Sequence, residues 1–328
     1  MTRRSFIALL MLLGVAMGLV ACEKKAPPAA PTNSAATDPR IVVLSPALAV
    51  ILRDLGLEGR IVGRHAWDLC LPESLPTCGD QAGIDYEALL GAAPTHVVIQ
   101  WGKRELPPRL RELGEARHWK IVPLDPLSLD EVVGAARALE REFDPWIDAD
   151  HKGARSPAAQ LERALATPEP TATRAGRVLL LTNASPPTAL GPGSFHADVL
   201  GRLGGVAALT GGGAYVTLDA EDVLRMAPEG IVLIEPRGVR SGPTPMRNRA
   251  ADFDASDLRM RLGKLAELDI PAIRAGRVAL IDDPLSLTPS TAMVGFAVRL
   301  RGILGVWSGG EENHRDTEAQ TKQDRGQR

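Results

Sequence analysis

The chain has 328 residues, of which 45% are hydrophobic and 24% are charged. These are ordinary values for a globular protein and exclude both a disordered chain and a multi-span membrane protein. At about 150 residues per domain, the length predicts about two domains. The formal net charge is -2 and no basic stripe is interleaved with aromatic residues, which excludes nucleic acid as a partner.

The N-terminus is predicted to be a secretory signal peptide. Arg3 and Arg4 form a cationic start, and residues 6–20 form an apolar run that is short for a membrane span. Residues 19–22, Leu-Val-Ala-Cys, resemble a bacterial lipobox, which implies that Cys22 is lipidated and becomes the mature N-terminus. A simple secreted form or an uncleaved anchor is the alternative. The paired arginines also resemble a twin-arginine export signal, which is the less favoured export route.

Composition divides the rest of the chain. A stretch rich in Ala, Pro, Thr and Ser follows the signal, as is typical of a solvated tether, and the C-terminal stretch is polar with no apolar face. The predicted segments are 1–21 signal peptide, 22–39 lipid-anchored tether, 40–126 N-terminal α/β lobe, 127–170 bridging helix region, 171–308 C-terminal α/β lobe and 309–328 disordered tail.

In the first predicted lobe, short β-branched runs alternate with helical spacing. The predicted strands are 40–44, 60–63, 96–100 and 121–124, and the predicted helices are 47–55, 86–92 and 108–116. Such alternation is typical of a parallel sheet with crossover helices.

Two helices, at 128–143 and 158–166, are predicted between the lobes, with a break at Pro145. The alternation then resumes with strands at 177–181, 231–235 and 277–281 and helices at 195–203, 221–226 and 291–304. The predicted fold class is therefore α/β, with two parallel-sheet lobes joined by a helical bridge.

An internal repeat links the two lobes. Residues 87–94, Glu-Ala-Leu-Leu-Gly-Ala-Ala-Pro, match residues 221–228, Glu-Asp-Val-Leu-Arg-Met-Ala-Pro, and an apolar strand follows each. Glu87 and Glu221 thus begin equivalent helices, which suggests a paired role. The alternative is that each glutamate only stabilises its own helix N-terminus through the macrodipole.

The order of short motifs resembles the ferric-siderophore/vitamin B12 class of periplasmic binding proteins over about residues 40–306. The motifs are Arg40–Pro46, Leu55-Gly56-Leu57, Ile61-Val62-Gly63, Asp85-x-Glu87 with Pro94, Gly191–Phe195, Leu203-Gly204-Gly205, Glu221 with Pro228, and Ala272–Val278. This resemblance implies two Rossmann-like lobes joined by a long bridging helix.

The same resemblance implies a function. The chain would be the solute-binding lipoprotein of an ABC importer, exported and lipid-anchored on the periplasmic side, and it would capture a ferric siderophore or a cobalamin, less readily haem. It would be a monomer, not an enzyme, without a resident cofactor, and would dock on an ABC permease dimer with its ATPase through Glu87 and Glu221.

Ligand contacts are expected in loops that follow the C-terminal ends of strands. Tryptophans offer flat apolar contact and arginines bind carboxylates, although a tryptophan is as often a core residue. The candidates are His65, Trp67, Trp101, Lys103, Arg104, Ser194, Phe195, Arg237 and Arg240. His65 and His196 could instead be haem ligands, but a loop histidine is more often solvated.

The cysteines predict a disulfide, and the sequence contains no catalytic motif. After Cys22 only Cys70 and Cys78 remain, and in an oxidising compartment they predict a disulfide that closes a short loop. The sequence has no metal-site spacing, Walker loop, Gly-x-Ser-x-Gly or His-Glu-x-x-His motif. A chelatase-like or hydrolytic enzyme and a tethered sensor or adaptor are the alternative functions.

Overall fold

The computed structural model describes residues 38–102, 104–166, 168, 172–237 and 255–325. The predicted signal peptide, Cys22 and the tether up to residue 37 lie outside these residues, as do Lys103 and Arg240. None of the described helices combines the length and the apolar composition that crossing a membrane requires.

The N-lobe is built on a five-stranded parallel sheet, which confirms the predicted strand–helix alternation. The strand order is β3-β2-β1-β4-β5, and every neighbouring pair is parallel. Helical crossovers connect most of the strands, as parallel pairing requires. The elements are β1 (Ile41–Leu44), α1 (Pro46–Asp54), β2 (Ile61–His65), β3 (Thr77–Gly79), α2 (Tyr86–Ala92), β4 (His96–Ile99), α3 (Pro108–Arg117) and β5 (Lys120–Pro123).

Two helices connect the lobes, α4 (Leu129–Phe143) and α5 (Pro157–Ala166). Ser128 begins α4, because its hydroxyl accepts a hydrogen bond from the Glu131 amide at 3.2 Å. The helix ends at the predicted break, and short 3-10 turns fill the interval between the two helices.

The C-lobe contains a mixed sheet, not the parallel sheet that the sequence predicts. Its main order is β11-β10-β6-β7-β9, with β8 also paired to β6. Strand β7 is antiparallel to β6 because two residues alone connect them, too few for a crossover. The elements are β6 (Arg177–Ala184), β7 (Pro187–Leu190), α6 (Phe195–Arg202), β8 (Val206–Ala207), β9 (Tyr215–Thr217), α7 (Ala220–Met226), β10 (Gly230–Ile234), α8 (Ala255–Leu262), α9 (Pro271–Arg274), β11 (Val278–Ile281) and α10 (Met293–Arg325).

A shared hydrophobic core lies between the two sheets and includes both connecting helices. Alternate residues of one strand point to opposite faces, so Ile41 and Val43 of β1 join this shared core while Val42 packs in a second cluster within the N-lobe. In the C-lobe, Val178 joins the shared core and Leu179 packs on the other face. Each sheet is therefore covered on both faces, and only its strand ends and edges are available for a site.

The last helix of the C-lobe begins in the core. The buried part of helix α10 (Met293–Arg325), which includes Phe296, Leu300 and Leu304, packs in the shared core. The disordered tail at residues 309–328 stays a prediction.

The internal repeat is also a structural repeat. Helix α2 begins after Asp85, whose carboxylate accepts from the Glu87 amide at 3.0 Å, and α7 begins after Asp219, whose carboxylate accepts from the Asp222 amide at 2.8 Å. Both glutamates, Glu87 and Glu221, are therefore the second residue of their helices, and both are exposed.

The two repeated helices also end in the same way. Ala93 and Ala227 have nearly identical left-handed conformations, with φ of 43° and 44° and ψ of 60°. An arginine at the start of the first strand of each lobe covers the helix end. Arg40, just before β1, donates to the carbonyls of Ala92 and Ala93, and Arg177, the first residue of β6, donates to that of Ala227. The prolines that follow prevent either helix from continuing.

We expect Ala93→Gly to stabilise the protein by about 0.5–1 kcal/mol, because a left-handed conformation is strained for alanine and not for glycine. Urea unfolding measures this change. Ala88→Gly in the interior of the same helix is the matched control and should destabilise by about 1 kcal/mol. Equal destabilisation by both substitutions would contradict the argument from backbone conformation.

Candidate ligand-binding cleft

A cavity of about 320 Å³ lies at the C-terminal ends of strands β1, β2 and β4 of the N-lobe. Four of the predicted ligand contacts line it: His65, Trp67, Trp101 and Arg104. The remaining lining residues, which the sequence analysis did not select, are Leu44, Ser45, Pro46, Gly79, Asp80, Gln81, Gly83, Ile84, Ile99 and Gln100.

Trp101 is held firmly on one side of the cavity. Its indole N–H donates to the Glu105 carbonyl at 3.0 Å, and its backbone N–H donates to the Asp125 carboxylate at 3.1 Å. The Arg104 guanidinium lies 4.8 Å from the centre of the indole ring, in cation–π contact. Trp101 is half-buried and Arg104 is exposed, so the pair presents a flat surface with a positive charge.

Trp67 is the most exposed aromatic residue of the cavity, with 64% of its surface accessible. It lies in the loop after β2, and its backbone N–H donates to Nδ1 of His65 at 3.1 Å. The Asp68 carboxylate accepts from the amides of Cys70 and Leu71, which fixes the next turn of the loop. An exposed tryptophan on a fixed loop is suited to stacking on a flat ligand.

His65 is buried, with 8% of its surface accessible, and burial lowers its pKa from the usual 6.5. The Asp80 and Asp68 carboxylates raise the pKa but do not outweigh burial. Nδ1 already accepts the Trp67 amide proton, so this nitrogen is not free to coordinate a metal. Across the described residues, no group of three or more His, Cys, Asp or Glu side chains is placed to hold a metal ion.

The remaining C-lobe candidates lie outside the N-lobe cavity. Ser194 is buried, and its hydroxyl accepts from the Ala197 amide at 3.1 Å, so it caps α6. Phe195 packs against the shared core. His196 is buried with a 2.7 Å hydrogen bond between its Nε2 and the Ser286 carbonyl.

Arg237 follows β10 and pairs with the buried carboxylate of Asp282 at 2.6 Å. Arg299 pairs with the other oxygen of Asp282 at 3.3 Å. Two arginines therefore share one buried carboxylate at the C-terminal ends of β10 and β11. That position is compatible with the predicted contact between Arg237 and an anionic ligand.

A second cavity, of about 500 Å³, lies between the lobes, and sequence reasoning did not predict it. Leu69 and Cys70, from the same loop as Trp67, face residues 283–285 after β11 and the start of α10. Beside it, the Thr291 hydroxyl donates to the Asp54 carboxylate at 2.6 Å. The loop after β2 thus lines both cavities.

The predicted disulfide is wrong, because Cys70 and Cys78 are both free. Cys70 is half-buried against the shared core, whereas Cys78 is fully buried in the N-lobe cluster on the other face of the sheet. Burial raises the pKa of the Cys70 thiol to about 12 and that of Cys78 to about 11. Both remain protonated and therefore poorly reactive.

Comparison with solved structures shows what the architecture is similar to. HutB, a periplasmic haem-binding protein of Vibrio cholerae, has a TM-score of 0.56 at 18% identity over 82% of this chain and 99% of its own. RhuT, a periplasmic haem-binding protein from Roseiflexus sp. RS-1, has 0.54 at 21% identity over 83% and 99%. BtuF, the periplasmic vitamin B12 binding protein of Vibrio cholerae, has 0.55 at 17% identity over 82% and 97%.

The fold is that of the periplasmic binding proteins. This confirms the predicted α/β fold with two lobes. No family profile matches the sequence, and no curated protein sequence matches it.

The buried histidines predict that the protein loses stability in mild acid. Burial lowers the pKa of His65, His96 and His196 below 6.5, so the unfolded chain binds more protons than the folded chain as the pH falls through 6.5. The free energy of unfolding should decrease by up to about 1.4 kcal/mol per pH unit for each histidine. Urea unfolding at pH 7.5, 6.0 and 5.0 measures this, and a flat profile would contradict it.

Proposed function

We propose that this chain is the solute-binding lipoprotein of an ABC importer, and that it captures a metal chelate between its two lobes and delivers it to the permease. The observation that carries the proposal is the N-lobe cavity, which is lined by the exposed Trp67 and by Trp101 with the Arg104 guanidinium stacked on it. The similar solved structures include a haem-binding and a vitamin B12-binding protein, which supports a flat metal chelate as the ligand.

Within this class we favour a ferric siderophore or a cobalamin over haem. A haem iron takes a protein side chain as its axial ligand. Nδ1 of His65 accepts the Trp67 amide, and Nε2 of His196 is hydrogen-bonded in the core, so neither buried histidine offers that nitrogen. A chelate with a complete coordination shell needs only the flat and cationic surfaces that Trp67, Trp101 and Arg104 provide.

For delivery, we propose that Glu87 and Glu221 dock on the permease, a dimer that works with an ATPase. Both side chains are exposed at the same helical position of the repeated unit, one on each lobe, and neither forms an ion pair within the described part of the chain. Two carboxylates at a fixed separation orient the docked protein on paired basic residues. Lipidation of Cys22 would anchor this monomer at the periplasmic side of the cell envelope.

The absorption spectrum of the protein purified from its own cells tests the ligand class. Cobalamins and many ferric siderophores absorb visible light, so the protein should carry a visible band that the double variant Trp67→Ala/Trp101→Ala, purified in parallel, lacks. A colourless protein whose tryptophan emission does not change on addition of cyanocobalamin, ferric siderophores or haem would contradict the proposal.

A further inference from the structure

The contact between His65 and Trp67 depends on which form of the imidazole is present. His65 is the last residue of β2 and lines the N-lobe cavity, and Trp67 is two residues further along the chain. The Trp67 backbone N–H donates to Nδ1 of the ring at 3.1 Å. Nδ1 can accept this hydrogen bond only without a proton of its own, so the bonded histidine is the neutral tautomer that carries its proton on Nε2.

Protonation of the ring would break this hydrogen bond. A charged imidazole carries a proton on both nitrogens, so Nδ1 and the Trp67 N–H would both be donors and would repel each other. No other hydrogen bond of the Trp67 amide competes with this one among the described residues. The backbone on both sides of Trp67 is held independently, because the Ala66 amide donates to the Gly79 carbonyl at 2.8 Å and the Asp68 amide donates to the His65 carbonyl at 3.1 Å. A change at His65 is therefore confined to the Trp67 amide and its side chain.

The charged groups around His65 and its burial together determine the pH at which the ring is protonated. The Asp80 carboxylate beyond β3 and the Asp68 carboxylate of the loop favour the charged ring, as does a hydrogen bond to the Asp80 backbone. Arg64 lies beside it and donates to the His65 carbonyl, and Arg104 lines the same cavity from the loop after β4. Burial outweighs the carboxylates and lowers the pKa, so the ring is neutral at pH 7 and is protonated only at a pH below 6.5.

We propose that His65 is a positioning residue that holds Trp67 at the cleft while the imidazole is neutral and releases it when the ring is protonated. Ligand capture would then weaken in mild acid through a change within the binding protein itself. The inference rests on the proposed function in one respect, namely that Trp67 contacts the ligand.

The position of Trp67 can be measured without any ligand. The chain has five tryptophans, so labelling with 15N-tryptophan gives five backbone amide signals, and Trp67→Phe identifies the one from Trp67. In the native protein this signal should shift between pH 7.5 and 5.0. In His65→Asn the amide oxygen accepts the same hydrogen bond and does not titrate, so the signal should stay still. In His65→Leu, which has no acceptor for the Trp67 amide, the signal should have at both pH values the chemical shift that the native protein shows at pH 5.0.

A control histidine separates this effect from general acid sensitivity. His96 is half-buried and, like His65, has a lowered pKa, but it lies at the start of β4, away from the strand ends that form the cavity. His96→Asn should leave the titration of the Trp67 signal unchanged. A Trp67 signal that stays still in the native protein, or that shifts equally in His65→Asn, would overturn the proposal. If His65→Asn does not fold, the comparison with His65→Leu decides it in the same way.

Binding provides the second measurement. The affinities for cyanocobalamin and for haem are measured by tryptophan quenching at pH 7.5 and 5.0. The same measurement on His65→Asn shows how much of the change with pH comes from the probes themselves. The native protein should lose about fivefold more affinity on acidification than His65→Asn. Equal losses would overturn the role of His65 in binding. If neither probe binds at pH 7.5, the proposed ligand class fails while the Trp67 signal still decides the positioning role.

Discussion

Replacing both Glu87 and Glu221 by alanine should stop uptake of the ligand by intact cells while its affinity for the purified protein is unchanged. Both carboxylates are exposed at the second position of equivalent helices, and neither residue lines the N-lobe cavity. A single solvated ion pair contributes about 0–1 kcal/mol, so each single variant should be impaired only partially. Loss of both removes the two fixed points that orient the docked protein.

The control for this experiment is a second pair of exposed glutamates, one on each lobe. Glu112 on α3 and Glu267 in the C-lobe are exposed, and their double alanine variant should transport normally. Each docking glutamate also stabilises its helix N-terminus by about 0.3–1 kcal/mol, so thermal unfolding of all variants is measured in parallel. Normal uptake by Glu87→Ala/Glu221→Ala at native protein levels would refute docking and leave the helix-terminus role.

The sequence predicted the repeated helical unit well because local interactions determine it. An aspartate caps each helix start, and an alanine followed by proline ends each helix, so residues close in sequence fix both boundaries. The placement of His65, Trp67, Trp101 and Arg104 around one cavity was predictable for a similar reason. Parallel strands bring their C-terminal ends to the same edge of a sheet, and these residues follow neighbouring strands.

The features that the sequence did not predict depend on distant contacts or on the face of a sheet. Thr291 meets Asp54 across 237 positions of sequence, so the second cavity has no local signal. Cys70 and Cys78 are eight positions apart, yet they pack on opposite faces of one sheet, and spacing alone cannot reveal this. Ser194 fits both a ligand contact and a helix cap in sequence, and the structure shows its hydroxyl used as a cap.

The tryptophans of the N-lobe cavity should account for much of the binding energy. Trp67→Ala is expected to weaken ligand binding by about 1–3 kcal/mol, because aromatic stacking on a flat ligand is lost. The stability of the fold should hardly change, because 64% of the Trp67 surface is accessible in the unliganded protein. Trp101→Ala should weaken binding comparably and also lower stability, because Trp101 packs against the N-lobe cluster.

Tryptophan quenching and urea unfolding of the same preparations separate these two effects. Trp119 is the matched control, because it packs against the same N-lobe cluster as Trp101 but does not line the N-lobe cavity. Trp119→Ala should therefore lower stability and leave affinity unchanged, whereas Trp67→Ala should lower affinity and leave stability almost unchanged. Unchanged affinity in both Trp67→Ala and Trp101→Ala would mean that the ligand binds elsewhere in the cleft, and the interlobe cavity beside Asp54 and Thr291 would then be the place to look.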